Sequence, residues 1–272
     1  MLLKGGSAMH LGCNTVLFAS TDLRTALQHL AWAGYRNVEL AAIAGMCEHV
    51  GLDSDPMQVK DLLAEFQLTP TAMEAATLDR DRLQSLMRLC SQIGIPIINI
   101  GSGGKTGDED STVEAIARIR DFAKMAADNG VTLGVKPHVG QAIYNAATGM
   151  RLMDEVNHPS VGLNFDPSHL YRANETPADV ARLWGARIVT SHFRDCPWRE
   201  GSPGSPEQQI PGRGEVDIPG TLRALKDVGY AGPLNFECIG AGAYPVSRAA
   251  GIAAETRGYL HRCLQEIGAV WD

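Results

Sequence analysis

The 272-residue sequence lacks the features that mark membrane, secreted and nucleic-acid-binding proteins. No apolar run approaches the roughly 18 residues that a membrane-spanning helix needs. The N-terminal residues contain neither the long apolar segment nor the cleavage site of a signal peptide. Aspartate and glutamate outnumber lysine and arginine by 31 to 24, and no basic cluster is available to neutralise phosphates. We therefore expect no membrane partner and no nucleic-acid partner.

Paired cysteines and a dinucleotide signature are also missing. The six cysteines are spread along the chain without a C-x-x-C pair, which indicates reduced thiols rather than a disulfide framework. This pattern predicts a cytoplasmic protein. No G-x-G-x-x-G motif follows the first predicted strand, so an open, doubly wound dinucleotide-binding sheet is disfavoured.

The sequence does contain a regular alternation of short apolar segments with longer amphipathic ones. Thr21 or Asp22 is placed to cap the first helix, and glycines such as Gly94 fall where helices should end. Eight strand–helix pairs without a dividing linker predict an α/β fold, a single (β/α)8 TIM barrel. We expect this domain to span residues 10–272, after a flexible lead-in at residues 1–9.

One segment interrupts the alternation. Residues 193–217, "FRDCPWREGSPGSPEQQIPGRGEVD", are too long and too rich in glycine and proline for a tight turn. A long loop after a barrel strand usually lies over the active-site face, and a solvated excursion is the alternative.

Polar side chains follow four of the predicted strands. Lys136 and His138 come after "LGV", and Asp166, His192 and Glu237 end the next three strands. Because catalytic residues of a TIM barrel lie at the C-terminal ends of its strands, we expect these side chains to converge. Carboxylates and an imidazole suit manganese, magnesium, cobalt or zinc, so the pattern predicts a divalent-metal site.

The motifs "NFDPSH", "SHFRD", "PGRGEVD" and "LNFEC" resemble the xylose isomerase-like TIM-barrel superfamily. That group contains sugar phosphate isomerases and epimerases and also endonuclease IV. The resemblance implies a metal held by a Glu, an Asp, a His and a Glu from consecutive strands. The last three correspond to Asp166, His192 and Glu237, and Glu237 is also expected to be catalytic. The resemblance further implies a carbohydrate substrate and self-association into a homo-oligomer.

The same resemblance suggests roles for other pocket residues. His169 matches a catalytic residue that contacts a substrate oxygen. Glu39, Arg194 and Arg213 match positions expected to bind substrate, whereas Glu74 is expected only to help shape the pocket.

Lys136 departs from the family pattern, because it stands where the first metal-ligating Glu is usual. Three possibilities stay open. In the first, a neutral Lys136 beside the metal serves as a general base. In the second, its ammonium turns away to bind a substrate carboxylate or phosphate, and His138 completes the metal site. In the third, no catalytic metal is held and Lys136 forms a buried ion pair with Asp166 or Glu237.

The expected chemistry is formation of an enediolate next to a carbonyl, with Glu237 moving a proton and Lys136 or His169 assisting. The leading prediction is a divalent-metal-dependent isomerase or epimerase of a keto sugar or related polyol acid. A dehydratase or decarboxylase using the same enolate is one alternative. A catalytically inactive, sugar-binding barrel is another, whereas the acidic composition disfavours a nuclease.

Overall fold

Eight parallel strands close around one axis in the computed structural model, which describes residues 8–271. The apolar strand segments are buried against the surrounding helices, as the sheet of a TIM barrel requires. The barrel strands are β1 (His10–Asn14), β2 (Asn37–Ile43), β4 (Thr69–Glu74), β5 (Ile97–Gly101), β6 (Thr132–Lys136), β7 (Val161–Phe165), β8 (Ile188–Ser191) and β9 (Pro233–Phe236).

Strand pairing runs in the order β8, β7, β6, β5, β4, β2, β1 and β9. The ring closes between β8 and β9, where His192 pairs with Asn235 in parallel register. The Phe193 N–H donates to the Asn235 carbonyl at 2.7 Å across the same junction. The predicted TIM barrel is therefore confirmed.

Helices cover the outside of the barrel. Asp22 caps the first of them by accepting from the Thr25 N–H at 2.8 Å, and Gly94 ends the third with a φ of 93°. The helices of the described residues are α1 (Leu23–Trp32), α2 (Pro56–Glu65), α3 (Arg80–Ile93), α4 (Glu109–Asp128), α5 (Ala146–Val156), α6 (Pro167–Arg172), α7 (Pro177–Trp184), α8 (Ile218–Asp227) and α9 (Val246–Glu266).

Among the described residues, one strand and one α-helix are additional to the predicted eight pairs. Strand β3 (Cys47–Glu48) pairs antiparallel with the end of β2, and the short helix α6 begins directly after β7. Both lie at the C-terminal ends of barrel strands, the end at which a TIM barrel carries its active site.

The interior of the barrel is polar below that end. The Asn99 amide donates to Glu39 Oε1 at 2.6 Å, and both side chains are fully buried. Gly134 leaves room for this amide, since a Cβ there would lie 2.1 Å from Asn99 Oδ1. The barrel thus supports its strand-end charges with a buried amide rather than with apolar packing alone.

Residues 1–7 of the predicted lead-in lie outside the described residues. Met9, near the end of that segment, is buried, and its N–H donates to the Val270 carbonyl at 2.9 Å. Within residues 8–271, no helix has both the length and the hydropathy needed to cross a bilayer.

Candidate active site

The predicted strand-end residues meet at the C-terminal mouth of the barrel. Asp166, His192 and Glu237 are at most 2% exposed, and one ligand atom from each lies within 4.8 Å of the others. Lys136 is 7% exposed at the end of β6 and reaches into the same group. The structure therefore brings together four of the five residues whose convergence the strand pattern predicts, and His138 is outside this donor group.

Lys136 makes direct contact with two members of this group. Its Nζ lies 3.0 Å and 3.2 Å from the two carboxylate oxygens of Glu237. It also lies 3.0 Å from Nδ1 of His192. Although burial opposes the charged form, Glu237 and Glu74 raise the pKa of Lys136 above its ordinary value. Lys136 is thus a charged ammonium in an ion pair with Glu237.

Asp166 has a structural role that its motif explains. It is the N-cap of α6, and its Oδ1 accepts from the backbone N–H groups of Ser168 and His169 at 2.9 Å and 3.2 Å. Pro167 follows at the first helical position, where its missing N–H costs nothing. Only Oδ2 remains to face the site.

Arg194 provides a second buried cation beside Lys136. Its Nη2 lies 3.3 Å from Oδ2 of Asp166, and its Nη1 lies 3.3 Å from Oε2 of Glu237. Its Nε donates to the Ser168 hydroxyl at 3.0 Å. Burial would raise the pKa of Glu237, but His192, Lys136 and Arg194 together hold it well below its usual range. Glu237 is therefore an ionised carboxylate between two cations.

His192 links Glu237 to a second group of carboxylates. Its Nδ1 lies 3.2 Å from Glu237, and its Nε2 lies 2.9 Å from Glu39 and 3.4 Å from Glu74. Burial lowers the pKa of His192, but Glu237 and Glu39 outweigh it and raise the pKa to about 10. The raised pKa and the Lys136 contact compete at Nδ1, because the Lys136 ammonium donates to this nitrogen only while it carries no proton, whereas Glu237 favours a proton there. In either case Nε2–H donates to Glu39.

Glu74 differs from the other carboxylates of the site. It is 2% exposed at the end of β4, and its Oε2 accepts no hydrogen bond from the described residues. Burial raises the pKa of Glu74 to about 7, although Lys136 and His192 act in the opposite direction. Such a carboxylate exchanges protons near neutral pH.

The two other histidines predicted in the site lie against each other with their rings tilted by 38°. The rings of His138 and His169 have centroids 3.9 Å apart. Nε2 of His169 accepts from the Arg194 guanidinium at 3.0 Å, so this nitrogen carries no proton. Burial and the Arg194 charge hold the pKa of His169 well below its usual value. Neither His138 nor His169 belongs to the convergent donor groups found among residues 8–271.

Arg213 is the one predicted site residue that lies away from the site. Its side chain is 46% exposed and pairs with Glu255 of α9. The rest of its loop is held in place by Asp195, whose carboxylate accepts from the backbone N–H groups of Gly214 and Val216 at 3.0 Å each. Gln209 extends from this loop to Arg194, with Oε1 3.4 Å from Nη1. The loop therefore covers the site through Gln209 rather than through Arg213.

Sequence patterns gave no role to Gln141 or Gln209, because isolated glutamines carry no catalytic signature. Gln141 Oε1 accepts from the backbone N–H groups of Ser102 and Gly103 at 2.7 Å and 2.9 Å. This contact secures the loop after β5 against the loop after β6. A Cβ at Gly101 would lie 2.5 Å from Gln141 Oε1, and this close approach is a signal that becomes visible only in three dimensions.

A cavity of about 280 Å³ opens above these charges. Glu74, Lys136, Arg194 and Glu237 contribute its polar floor. Apolar side chains form part of its wall, among them Ile43, Met46, Leu78 and Ile239. A small polar molecule held here would contact two cations and two carboxylates while its remaining surface packs on apolar groups.

Two groups of buried donors among the described residues bear on whether the site fits a divalent metal ion. Asp166, His192 and Glu237 have suitable chemistry, and so do Glu39, Glu74 and His192. However, Lys136 Nζ already lies 3.0 Å from both His192 Nδ1 and Glu237 Oε1, and Arg194 neutralises the free oxygen of Asp166. A divalent ion would have to displace one cation and approach the other. The present arrangement does not fit such an ion, and it matches the possibility in which Lys136 pairs with Glu237.

Comparison with known proteins places this chain in a family. The family described as xylose isomerase-like TIM barrel matches residues 10–263. An L-ribulose 3-epimerase from Methylomonas is 23% identical over 237 residues, which cover 81% of this chain and 79% of that protein. A 3-dehydroshikimate dehydratase from Pseudomonas putida is 24% identical over 82% of this chain, and the match spans only 37% of that longer protein.

A solved structure shares the fold at low sequence identity. The IOLI protein, whose crystal structure contains a zinc atom, superposes with a TM-score of 0.76 at 17% identity, covering 93% of this chain and 99% of that one. The two sequence relatives are enzymes that act on small molecules, one an epimerase and the other a dehydratase. The chain belongs to the xylose isomerase-like TIM barrel family.

Proposed function

We propose that this protein is an isomerase or epimerase of a small keto sugar or related polyol ketone. The reaction removes a proton from the carbon next to the substrate carbonyl and returns one to that carbon or to its neighbour. The L-ribulose 3-epimerase relative supports this substrate class.

The observation that carries the proposal is the pair of buried carboxylates with opposite protonation behaviour. Burial raises the pKa of Glu74 to about 7, whereas the pKa of Glu237 is held well below its usual range despite burial, by His192, Lys136 and Arg194. A base with a pKa near the working pH is the most effective proton acceptor. Glu74 is therefore the base, and Glu237 holds Lys136 in place.

Lys136 and Arg194 supply the positive charge that the reaction needs. As Glu74 takes the proton, the electron pair of the broken C–H bond forms an enediolate. N–H donors that are already in position stabilise its negatively charged oxygen. Lys136 then donates a proton to the carbon from its own side of the cavity. Glu74 and Lys136 exchange one proton each with solvent before the next turnover.

A lyase on a sugar-derived keto acid is the second candidate. The two cations that line the cavity would bind a substrate carboxylate. The dehydratase relative adds support, although this chain spans 37% of that protein. A dehydratase forms the enolate by removing a proton and then expels a hydroxyl from the adjacent carbon as water, whereas a decarboxylase forms the enolate as carbon dioxide leaves and then protonates it. The product is lighter than the substrate in both cases, which distinguishes a lyase from an isomerase.

Incubation with a panel of keto sugars, cyclic polyol ketones and sugar-derived keto acids in D2O, followed by proton NMR and mass spectrometry, tests the proposal. We expect an isomeric product that carries solvent deuterium at the carbon next to the carbonyl. Loss of 18 or 44 mass units would instead identify the lyase, a consequence of expelling water or carbon dioxide. Absence of both exchange and product across the panel would favour the sugar-binding alternative and reject catalysis on these substrates.

Glu74→Gln is the decisive variant, because it keeps the shape of the side chain and removes the base. We expect the exchange rate to fall by about 10²- to 10⁴-fold, the usual contribution of a general base. Glu255→Gln is the matched control, since Glu255 is 43% exposed and lies in a surface ion pair. Equal rates for both variants would remove Glu74 from the mechanism.

A further inference from the structure

The Lys136 ammonium occupies space that a bound metal ion would need. Nζ lies within 3.0 Å of both Nδ1 of His192 and Oε1 of Glu237. These two residues and Asp166 form the compact donor group of the site. A tetrahedral or octahedral metal ion stands about 2.0–2.2 Å from nitrogen and oxygen ligands, which leaves no room for an ammonium bonded to the same atoms.

The backbone holds Lys136 in this position. Strand β6 pairs with β5 on one side and β7 on the other, and Lys136 itself pairs in register with Gly101. Its ammonium is buried and contacts both oxygens of Glu237. Rotating the side chain away would leave Nζ without these partners, so the contact with Glu237 and His192 is its stable position.

The carboxylates of this donor group are each paired with a cation without a metal. Asp166 and Glu237 face Lys136 and Arg194, all four nearly inaccessible to solvent. A divalent ion here would be repelled by two neighbouring cations in a medium that screens charge poorly. Replacing Lys136 with a carboxylate would remove one of those cations and add a hard ligand at the same strand end.

We propose that the Lys136 ammonium is a built-in replacement for a divalent metal ion, so that this barrel binds no metal in its working state and Lys136→Glu converts it into a divalent-cation site. The inference rests on the proposed function in one respect only, the role of the ammonium in the reaction. That role is to stabilise the enediolate oxygen. The metal-binding part stands on the contacts of Lys136 alone.

The test is titration of the chelator-treated protein with Mn²⁺, followed by the electron paramagnetic resonance signal of the free ion. Zinc content after dialysis is measured in parallel by mass spectrometry. We expect no stoichiometric binding by the natural chain and one Mn²⁺ per chain for Lys136→Glu, with affinity about 100-fold or more above the natural chain because one cation becomes one ligand. Adding His192→Gln should abolish the gain.

Lys124→Glu is the matched control, since it makes the same charge change at a side chain that is 70% exposed on α4. It should gain no Mn²⁺. One equivalent of Mn²⁺ or Zn²⁺ on the natural chain, lost in Asp166→Asn, would overturn the inference, and this arm needs no Lys136 variant to fold. A folded Lys136→Glu protein that binds none would overturn the conversion.

Sugar turnover is measured separately, in the presence of a chelator. Turnover that survives the chelator supports both proposals. A natural chain that binds no Mn²⁺ and turns over no substrate would reject the proposed function while leaving the replacement of the metal standing.

Discussion

Two ion pairs of this protein have similar geometry in opposite surroundings. Lys136 and Glu237 lie 3.0 Å apart at the mouth of the barrel, with side chains 9% and 3% exposed. Arg213 and Glu255 lie 2.6 Å apart on the outer surface, with side chains 46% and 43% exposed. Water screens the attraction within the outer pair. The two charged groups of the inner pair have lost their hydration and are stabilised by each other's charge instead. A short distance therefore does not by itself identify a functional pair.

The comparison also explains why buried charges are informative. Removing a charged group from water costs several kcal/mol, so a buried pair contributes less to folding than its attraction suggests. In this barrel the charged residues also line a cavity, together with Glu74, whose pKa burial raises to about 7. Perturbed groups around a cavity are typical of active sites, and the outer ion pairs lack this combination.

Lys136→Met, which disrupts the buried ion pair, should produce the largest effect on stability and turnover. Loss of the ammonium removes one of the two cations beside the buried Glu237 carboxylate and leaves Arg194 as the other, and removing one partner of a buried ion pair costs up to roughly 3–5 kcal/mol. Turnover should fall below detection, because the enediolate loses a donor. Urea unfolding followed by circular dichroism measures the change in stability.

The matched substitution is Lys124→Met, at a side chain 70% exposed. It should leave the unfolding midpoint nearly unchanged. Equal midpoints for the two variants would mean that the buried pair contributes no more than a surface lysine.

Glu74→Gln should act in the opposite direction on stability. Burial raises the pKa of Glu74 to about 7 from an ordinary 4.5, so the folded protein binds this proton more tightly than the unfolded chain does. Stability from this group is therefore present at low pH and is lost as pH rises from 4.5 through 7. At about 1.4 kcal/mol per unit, the shift corresponds to up to about 3 kcal/mol at pH 8.

The measurement is the free energy of unfolding of both proteins at pH 5 and pH 8. The free energy of unfolding of the variant, relative to that of the natural chain, should be clearly higher at pH 8 and only slightly higher at pH 5. A constant difference between the two pH values would show that Glu74 does not titrate as its burial implies.

The sequence predicted the fold more completely than it predicted the site. Alternating apolar and amphipathic segments record which face of each element is buried, and this information is local. Hence all eight barrel strands were predicted, and helix α1 begins after Asp22, one of its two expected caps. The short helix α6 escaped prediction, because "DPSH" was interpreted only as a set of site residues and is also a helix N-terminus.

The sequence predicted which residues meet in the site, but it did not predict how these residues pair with each other. Strand ends locate Lys136 and Glu237 in the same layer, yet the choice among three roles for Lys136 depends on Nζ distances that no spacing encodes. Arg213 was misplaced because it belongs to a long loop whose path depends on the buried carboxylate of Asp195. Glu74 was undervalued because its properties come from burial rather than from a motif.

The pH dependence of turnover sharpens the contrast between Glu74 and Glu237. Because the base must be ionised, kcat/KM should rise with pH and level off near the pKa of Glu74, about 7. Below that value the rate should fall about tenfold per pH unit, as for one essential base. A profile flat from pH 5 to pH 8 would assign the base to a group of lower pKa, such as Glu237.

Arg213→Gln, which disrupts the exposed ion pair, should have the smallest effect on stability and turnover. Its guanidinium pairs with Glu255 at the surface, where an ion pair contributes less than about 1 kcal/mol. Turnover should stay within about twofold of the natural chain, since the side chain does not reach the cavity. Arg194→Gln removes the same charge from a residue 2% exposed and should lower both stability and turnover. If Arg213→Gln matched it in loss of turnover, the loop would have to carry Arg213 to the substrate during the reaction, and the buried residues alone would not define the active site.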